Sequence, residues 1–250
     1  MSRVEHLSDS VTLYLGDCRE ILPTLSKVGR LICAPYGQGY KVNTFYAGGT
    51  RAKMVVQKGG RSLPVHSSTH AEIKGDDEPF DPSHILGLAP DMLIWGAHRF
   101  ADRLPQGSWL VWDKVPNGKI KDQGDGEAAW INRDQPMRIY RLLWDGLSVG
   151  TGARHEVTAG QKRLHHMQKP VALMAWSIDQ LGGTGDVLDP YMGSGSTGVA
   201  CVQRDIAFIG IEAVPAYFDI ACRRIANELK RPRFALGAPA PIVRQEALEL

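Results

Sequence analysis

The run Asp186-Val-Leu-Asp189-Pro190-Tyr191-Met192-Gly193-Ser194-Gly195-Ser196-Thr197-Gly198 constrains this chain more than any other: it reads as a strand, a tight glycine turn and the opening of a helix. Gly193 and Gly195 permit positive φ and a close approach of backbone to a ligand, and a helix opening at Ser196 or Thr197 presents free N–H groups. The next strand, Ile206-Ala-Phe-Ile-Gly-Ile-Glu212, ends in a carboxylate at the carboxyl edge of the sheet. A carboxylate there can accept hydrogen bonds from both hydroxyls of a ribose, so the unit points to a nucleoside cofactor. No G-x-x-x-x-G-K-[ST] run is present, which disfavours a triphosphate-binding loop.

Elsewhere, short apolar runs alternate with helix-like stretches, the pattern of a sheet covered by helices. Strands are expected at Val11 to Leu15, Arg30 to Cys33, Asp91 to Trp95, Ser108 to Trp112, Met137 to Leu143, Asp186 to Asp189 and Ala207 to Glu212. Helices are expected from Pro170 to Leu181, stopped by Gly182 and Gly183, and from Pro215 to Lys230, with Phe218, Ala221, Ile225 and Leu229 on one face. Two stretches lack such periodicity: 37–70, rich in Gly and Lys, and Val115 to Glu127, which carries the turn dipeptide Asn117-Gly118. Loops of that length in a compact domain are usually functional or disordered. At 250 residues, 43% hydrophobic and 22% charged, the chain reads as one domain over 1–250, with a C-terminal tail at 231–250.

The formal charge is only +2, so attraction to nucleic acid depends on where charges lie. No acidic residue falls between Glu20 and Glu72, whereas Lys27, Arg30, Lys41, Arg51, Lys53, Lys58 and Arg61 do. Such a segment suits a solvated loop or a phosphate-backbone contact. Cys18, Cys33, Cys201 and Cys222 form no C-x-x-C pair, which suggests a reduced protein without structural zinc. The N-terminus has no apolar signal region and no run approaches a membrane span, so a cytoplasmic location is expected. Trp95, Trp109, Trp112 and Trp144 read mostly as core or joining aromatics, and His98, His155, His165 and His166 as surface or packing residues.

The region VLDPYMGSGSTGVACVQRDIAFIGIEAVPAYFDIACRRI resembles the cofactor-binding region of DNA amino-methyltransferases, whose familiar form is D-P-F-x-G-S-G-T-T followed by a strand ending in I-E. His165-His166-Met167-Gln168-Lys169-Pro170 resembles the family's H-P-T-Q-K-P motif, and Leu13-Tyr14-Leu15-Gly16-Asp17 its strand ending in Gly-Asp. The motif order is that of the circularly permuted beta subgroup. The resemblance implies a Rossmann-like AdoMet-dependent methyltransferase fold of the α/β class, a mixed seven-stranded sheet with helices on both faces. It also implies S-adenosyl-L-methionine as cofactor. Asp17 would contact its adenine amine, Asp189, Pro190, Tyr191, Gly193, Ser194 and Gly195 would surround its methionine part, Glu212 would hold its ribose, and Lys169 would lie nearby. Taken alone, without the other motifs, Asp17 reads as a helix N-cap before Arg19 to Leu22.

The family's D-P-P-Y motif corresponds to Leu31-Ile32-Cys33-Ala34-Pro35-Tyr36-Gly37, where the proline and tyrosine remain and the acid is absent. An ungapped alignment from Tyr36 puts Cys33 in the acidic position; loss of one proline puts Ala34 there. Neither replaces a carboxylate, because a thiol is a weak acceptor and alanine has no side-chain acceptor. Asp113 is the distant carboxylate that could substitute. The resemblance implies methylation of an exocyclic base amine in a flipped nucleotide stacked on Tyr36, with no metal. The middle of the chain, 72–113, resembles phage- and prophage-borne adenine methyltransferases, so adenine N6 is the expected target. Double-stranded DNA is the expected partner, held by Lys41, Arg51, Lys53, Lys58 and Arg61 with the loops 38–70 and 115–127. The family also allows a homodimer. A catalytically silent AdoMet- or DNA-binding regulator is the alternative.

Overall fold

A computed structural model describes residues 3–35, 79–116, 124–145, 148–149 and 168–232, with the backbone of 54–56 and 62–64. The strands in chain order are β1 (Arg3–Ser8), β2 (Val11–Leu15), β3 (Arg30–Cys33), β4 (Met54–Val56), β5 (Ser62–Pro64), β6 (Asp91–Trp95), β7 (Ser108–Asp113), β8 (Gly126–Ile131), β9 (Arg138–Arg141), β10 (Trp144–Asp145), β11 (Ser148–Val149), β12 (Val187–Asp189) and β13 (Phe208–Glu212). The α-helices among the described residues are α1 (Cys18–Ile21), α2 (Val171–Leu181), α3 (Ser196–Val202) and α4 (Pro215–Leu229).

Among the described residues, nine strands form one mixed sheet in the order β1-β2-β13-β12-β3-β6-β8-β7-β9. Strands β2, β13, β12, β3 and β6 are mutually parallel, while β8 enters antiparallel between β6 and β7. All seven expected strands lie in this sheet. The expected count of seven is corrected to nine by β1 and β8. β1 is an exposed edge strand with a polar sequence, RVEHLS, and so gives no apolar run. β8, GEAAWI, opens with residues of weak strand preference, and its first two, Gly126 and Glu127, fall inside the expected loop 115–127. The expected loop 38–70 likewise contains a small antiparallel hairpin, β4 with β5.

The parallel strands are buried on both faces, which is why they read as near-continuous apolar runs. Side chains alternate: Ile32, Leu93 and Trp95 enter one core, and Leu31, Cys33, Met92 and Ile94 the other. The first core lies under α2, α3 and α4. The second lies under α1 and short 3-10 turns. Helices on both faces were expected, and the α/β Rossmann-like class follows, with the longer helices gathered on one side. Phe218, Ala221 and Ile225 are fully buried, as their spacing on α4 required.

Trp95 and Trp112 are also fully buried, and their indole N–H groups donate to Ser177 Oγ (3.0 Å) and the Leu142 carbonyl (3.0 Å). His98 is exposed, whereas His155, His165 and His166 lie outside the described residues. No helix among the described residues is long and apolar enough to cross a membrane, and no group of three or more metal-ligating side chains occurs among them.

Candidate cofactor cleft

In a sheet of this type, ligands bind beyond the carboxyl ends of the strands where the winding reverses. Here that point lies between β12, which continues through α3 to β13, and β3, its neighbour on the other side. A cleft opens there, lined by Ala34, Gln168, Lys169, Met174, Asp189, Tyr191, Met192, Gly193, Ser194, Ser196 and Thr197. It unites six of the expected site residues: Ala34, Lys169, Asp189, Tyr191, Gly193 and Ser194.

Asp189 ends β12 and is 3% exposed. One carboxylate oxygen accepts the Tyr191 N–H at 3.0 Å and the other accepts the Thr197 hydroxyl at 2.6 Å. Burial outweighs these bonds and pushes the carboxyl up to about 7. Glu212, at the end of β13, accepts the N–H groups of Gly193 (2.9 Å) and Val214 (2.8 Å), and burial raises it to about 7 as well. The carboxylate therefore fastens the glycine turn to the neighbouring strand; with the Ala213 N–H it accepts three backbone donors, out of about four acceptor positions on its two oxygens.

Gly193 and Gly195 have φ of 53° and 79°, as expected. The reason at Gly195 differs from a close ligand approach. A Cβ there would meet Ala221 at 3.0 Å, so this glycine lets α4 press against the turn. Pro190 is buried between the strand end and the turn.

Asp17 follows β2, next to the end of β13, and Gly16 N–H donates to the Glu212 carbonyl at 3.0 Å. Its side chain is exposed and caps α1 by accepting the Arg19 N–H at 2.9 Å. Both readings of Asp17 thus retain their geometry. Beside it, Cys18 and Tyr191 are hydrogen-bonded, and Tyr191 Oη lies 2.6 Å from His84 Nε2. Burial lowers the pKa of His84, and Phe80 packs edge-on against Tyr191.

Cys33 and Ala34 face opposite ways. Cys33 is fully buried in the second core, and burial holds its thiol well above its ordinary pKa. Ala34 packs on the first core and lines the cleft. Pro35 is buried; Tyr36, Lys41, Arg51, Lys53, Lys58 and Arg61 lie outside the described residues. Asp113 is taken up locally, accepting the Val115 N–H at 2.9 Å and lying 3.8 Å from Arg141.

Two residues escaped the sequence reading. Glu127 accepts from Lys169 at 2.8 Å and Lys114 at 3.0 Å, and the two ammonium groups overcome burial to hold it down at about 2. Its position just past a glycine-rich stretch gave no signal. Arg224, on α4, donates to the Ser194 carbonyl (2.5 Å) and the Ser194 hydroxyl (2.9 Å). It stands three residues after Ala221 on the helix, and that adjacency to the apolar stripe was a legible hint.

The DNA methylase family of the N6/N4 type matches residues 108–223. The chain is 32% identical over 160 residues to the Type II methyltransferase M.Cfr9I of Citrobacter freundii, covering 57% of this chain and 53% of that protein. It is 26% identical over 165 residues to M.XycI of Xanthomonas campestris pv. cyanopsidis, covering 59% and 55%. The chain thus spans about half the length of these curated relatives. Among solved structures, the M1.HpyAVI–SAM complex is similar at 19% identity and a TM-score of 0.48, covering 86% of this chain and 98% of the other. The PvuII DNA methyltransferase, cytosine-N4-specific, has 11% identity and a TM-score of 0.48, covering 89% and 93%.

Proposed function

We propose, from a chain that carries a DNA methylase domain of the adenine-N6/cytosine-N4 amino-methyltransferase type over residues 108–223, that the cleft binds S-adenosylmethionine and serves methyl transfer to a base amine in double-stranded DNA. The observation that carries this reading is the convergence of Asp189, Glu212, the glycine turn and Ala34 at the winding reversal. The residues fit an adenosyl amino acid. Glu212 retains acceptor capacity for a ribose hydroxyl, Gly193 bears no side chain at the cleft wall, and Asp17 stands one strand further out.

When bound, the cofactor supplies an electrophilic methyl group on a sulfonium. Held by the glycine turn, Asp189 and Glu212, it would offer that methyl to a base amine, which would gain the N–C bond as the S–C bond is lost and would then release a proton. Its lone pair is delocalised into the ring, so an acceptor that pulls on an amine hydrogen makes the nitrogen a better nucleophile; losing one such group commonly costs about 10²–10³ in rate. Tyr36 is the stacking platform of this reading, and Lys41, Arg51, Lys53, Lys58 and Arg61 its phosphate contacts. Adenine N6 is the favoured target on the resemblance of the middle section.

Ala34 at the cleft and the buried, neutral Cys33 favour a second reading, in which the site binds cofactor and DNA with impaired or absent turnover. Calorimetric titration with S-adenosylmethionine and duplex DNA, followed by tritiated methyl transfer and nucleoside analysis, separates the two. Binding with N6-methyladenine formed supports the first reading. Binding without transfer supports the second, N4-methylcytosine moves the target, and failure to bind the cofactor rejects both. For the phosphate contacts, each Lys or Arg replaced by Gln should reduce the log–log salt slope of DNA affinity by about 0.9.

A further inference from the structure

Arg224 carries a charge into the glycine turn that the protein does not neutralise. Its Nη1 donates to the Ser194 carbonyl at 2.5 Å, the Ser194 hydroxyl at 2.9 Å and, at longer range, the Ser196 hydroxyl at 3.3 Å. Its Nη2 is buried without a hydrogen-bond partner, and no carboxylate among the described residues pairs with the guanidinium. The other charges nearby are accounted for differently. Lys169 is paired with Glu127, and burial holds Asp189 and Glu212 near neutrality. The packing of Gly195 on Ala221 sets α4 against the turn three residues before Arg224.

A partly buried cation whose Nη2 is fully buried and unused is costly unless something completes it. Ser194 and Ser196 both line the cleft, and their hydroxyls, which accept from Arg224, keep their own protons to donate, so the charge of Arg224 reaches a ligand there through polarised hydroxyl donors. We propose that Arg224 is a specificity-determining positioning residue: it makes this turn selective for adenosyl ligands that bear a free carboxylate over those that lack one. The proposal rests on the reading of the cleft as an S-adenosylmethionine site.

The experiment compares two ligands that share an adenosyl thioether: S-adenosylhomocysteine, which carries the amino-acid carboxylate and ammonium, and 5′-methylthioadenosine, which carries neither. Removing a cation weakens the first selectively only through its carboxylate, because the ammonium is repelled by that cation. Calorimetry on the full chain gives the ratio of their affinities for wild type, Arg224→Met, Arg224→Gln and Arg224→Lys. Arg224→Gln keeps a donor for the Ser194 carbonyl, which guards against simple collapse of the turn in Arg224→Met. Expected is a loss of about tenfold for S-adenosylhomocysteine in the two uncharged variants, an unchanged affinity for 5′-methylthioadenosine, and retention of most selectivity in Arg224→Lys. Equal losses for both ligands would reduce Arg224 to a brace of the turn, and an unaltered ratio would reject the charge argument; either overturns the proposal. Should wild type bind neither ligand, the cofactor reading itself falls, an outcome distinct from wild-type binding with an unaltered ratio.

Discussion

At the scale of single residues, the consequence of strand alternation is sharpest at Cys33 and Ala34. Adjacent side chains leave a strand on opposite faces, so a carboxylate introduced at one enters the core and at the other enters the cleft. Cys33→Asp should therefore cost about 3 kcal/mol or more of stability in urea unfolding, as an unpaired buried charge does. Ala34→Asp should fold normally and raise methyl transfer by about 10²–10³ if the missing acceptor limits the rate. A stable Cys33→Asp protein with the greater gain in transfer would reverse the assignment. In the sequence, Pro35 and Tyr36 anchor the resemblance to the motif and with it the gap at its acid. Which of two neighbours faced the cleft was not, since an alignment shifted by one residue reverses every side chain of a strand.

Among the elements, the ends of β7 and β8 are clasped to the entrance of α2 by Glu127 between Lys114 and Lys169. Lys114 also stands 4.8 Å over the Trp112 ring. Glu127→Ala strands two partly buried cations and should cost about 3 kcal/mol in denaturant unfolding; Lys114→Ala, which leaves Glu127 its second partner, should cost about 1 kcal/mol. Equal costs would mean that the clasp is not centred on Glu127. Strands β3 and β6 match their expected bounds because both faces are largely buried, and β2 because its apolar residues alternate inward around Thr12. The clasp itself left no trace in the sequence: its three members lie on separate segments, and only antiparallel insertion of β8 brings them together.

For the molecule as a whole, Asp189 and Glu212 set the response to pH. Both are held above their ordinary values, so between about pH 4 and 7 the native state keeps protons that the unfolded chain has released, and stability falls as pH rises through that window. Glu127 acts in the opposite sense, but its contribution is lost only as pH falls from its ordinary value toward about 2. The thermal midpoint of the ligand-free protein should accordingly be higher at about pH 5 than at about pH 8, and Glu212→Gln should flatten the difference. A midpoint that rises over this range would contradict the raised values. The order of motifs along the chain was readable, but its mechanical meaning needed the sheet. Strand β2 pairs in parallel with β13 from Val11↔Phe208 to Glu212↔Leu15, joining segments roughly two hundred positions apart, a loop closure whose entropy must be met before the contact can repay it. The expected outcome in refolding is that the cleft assembles late, with much of β3, β6, β7 and β8 protected from amide exchange before its wall is in place. Ligand rescue of folding is therefore confined to the final step, after both distant segments have met.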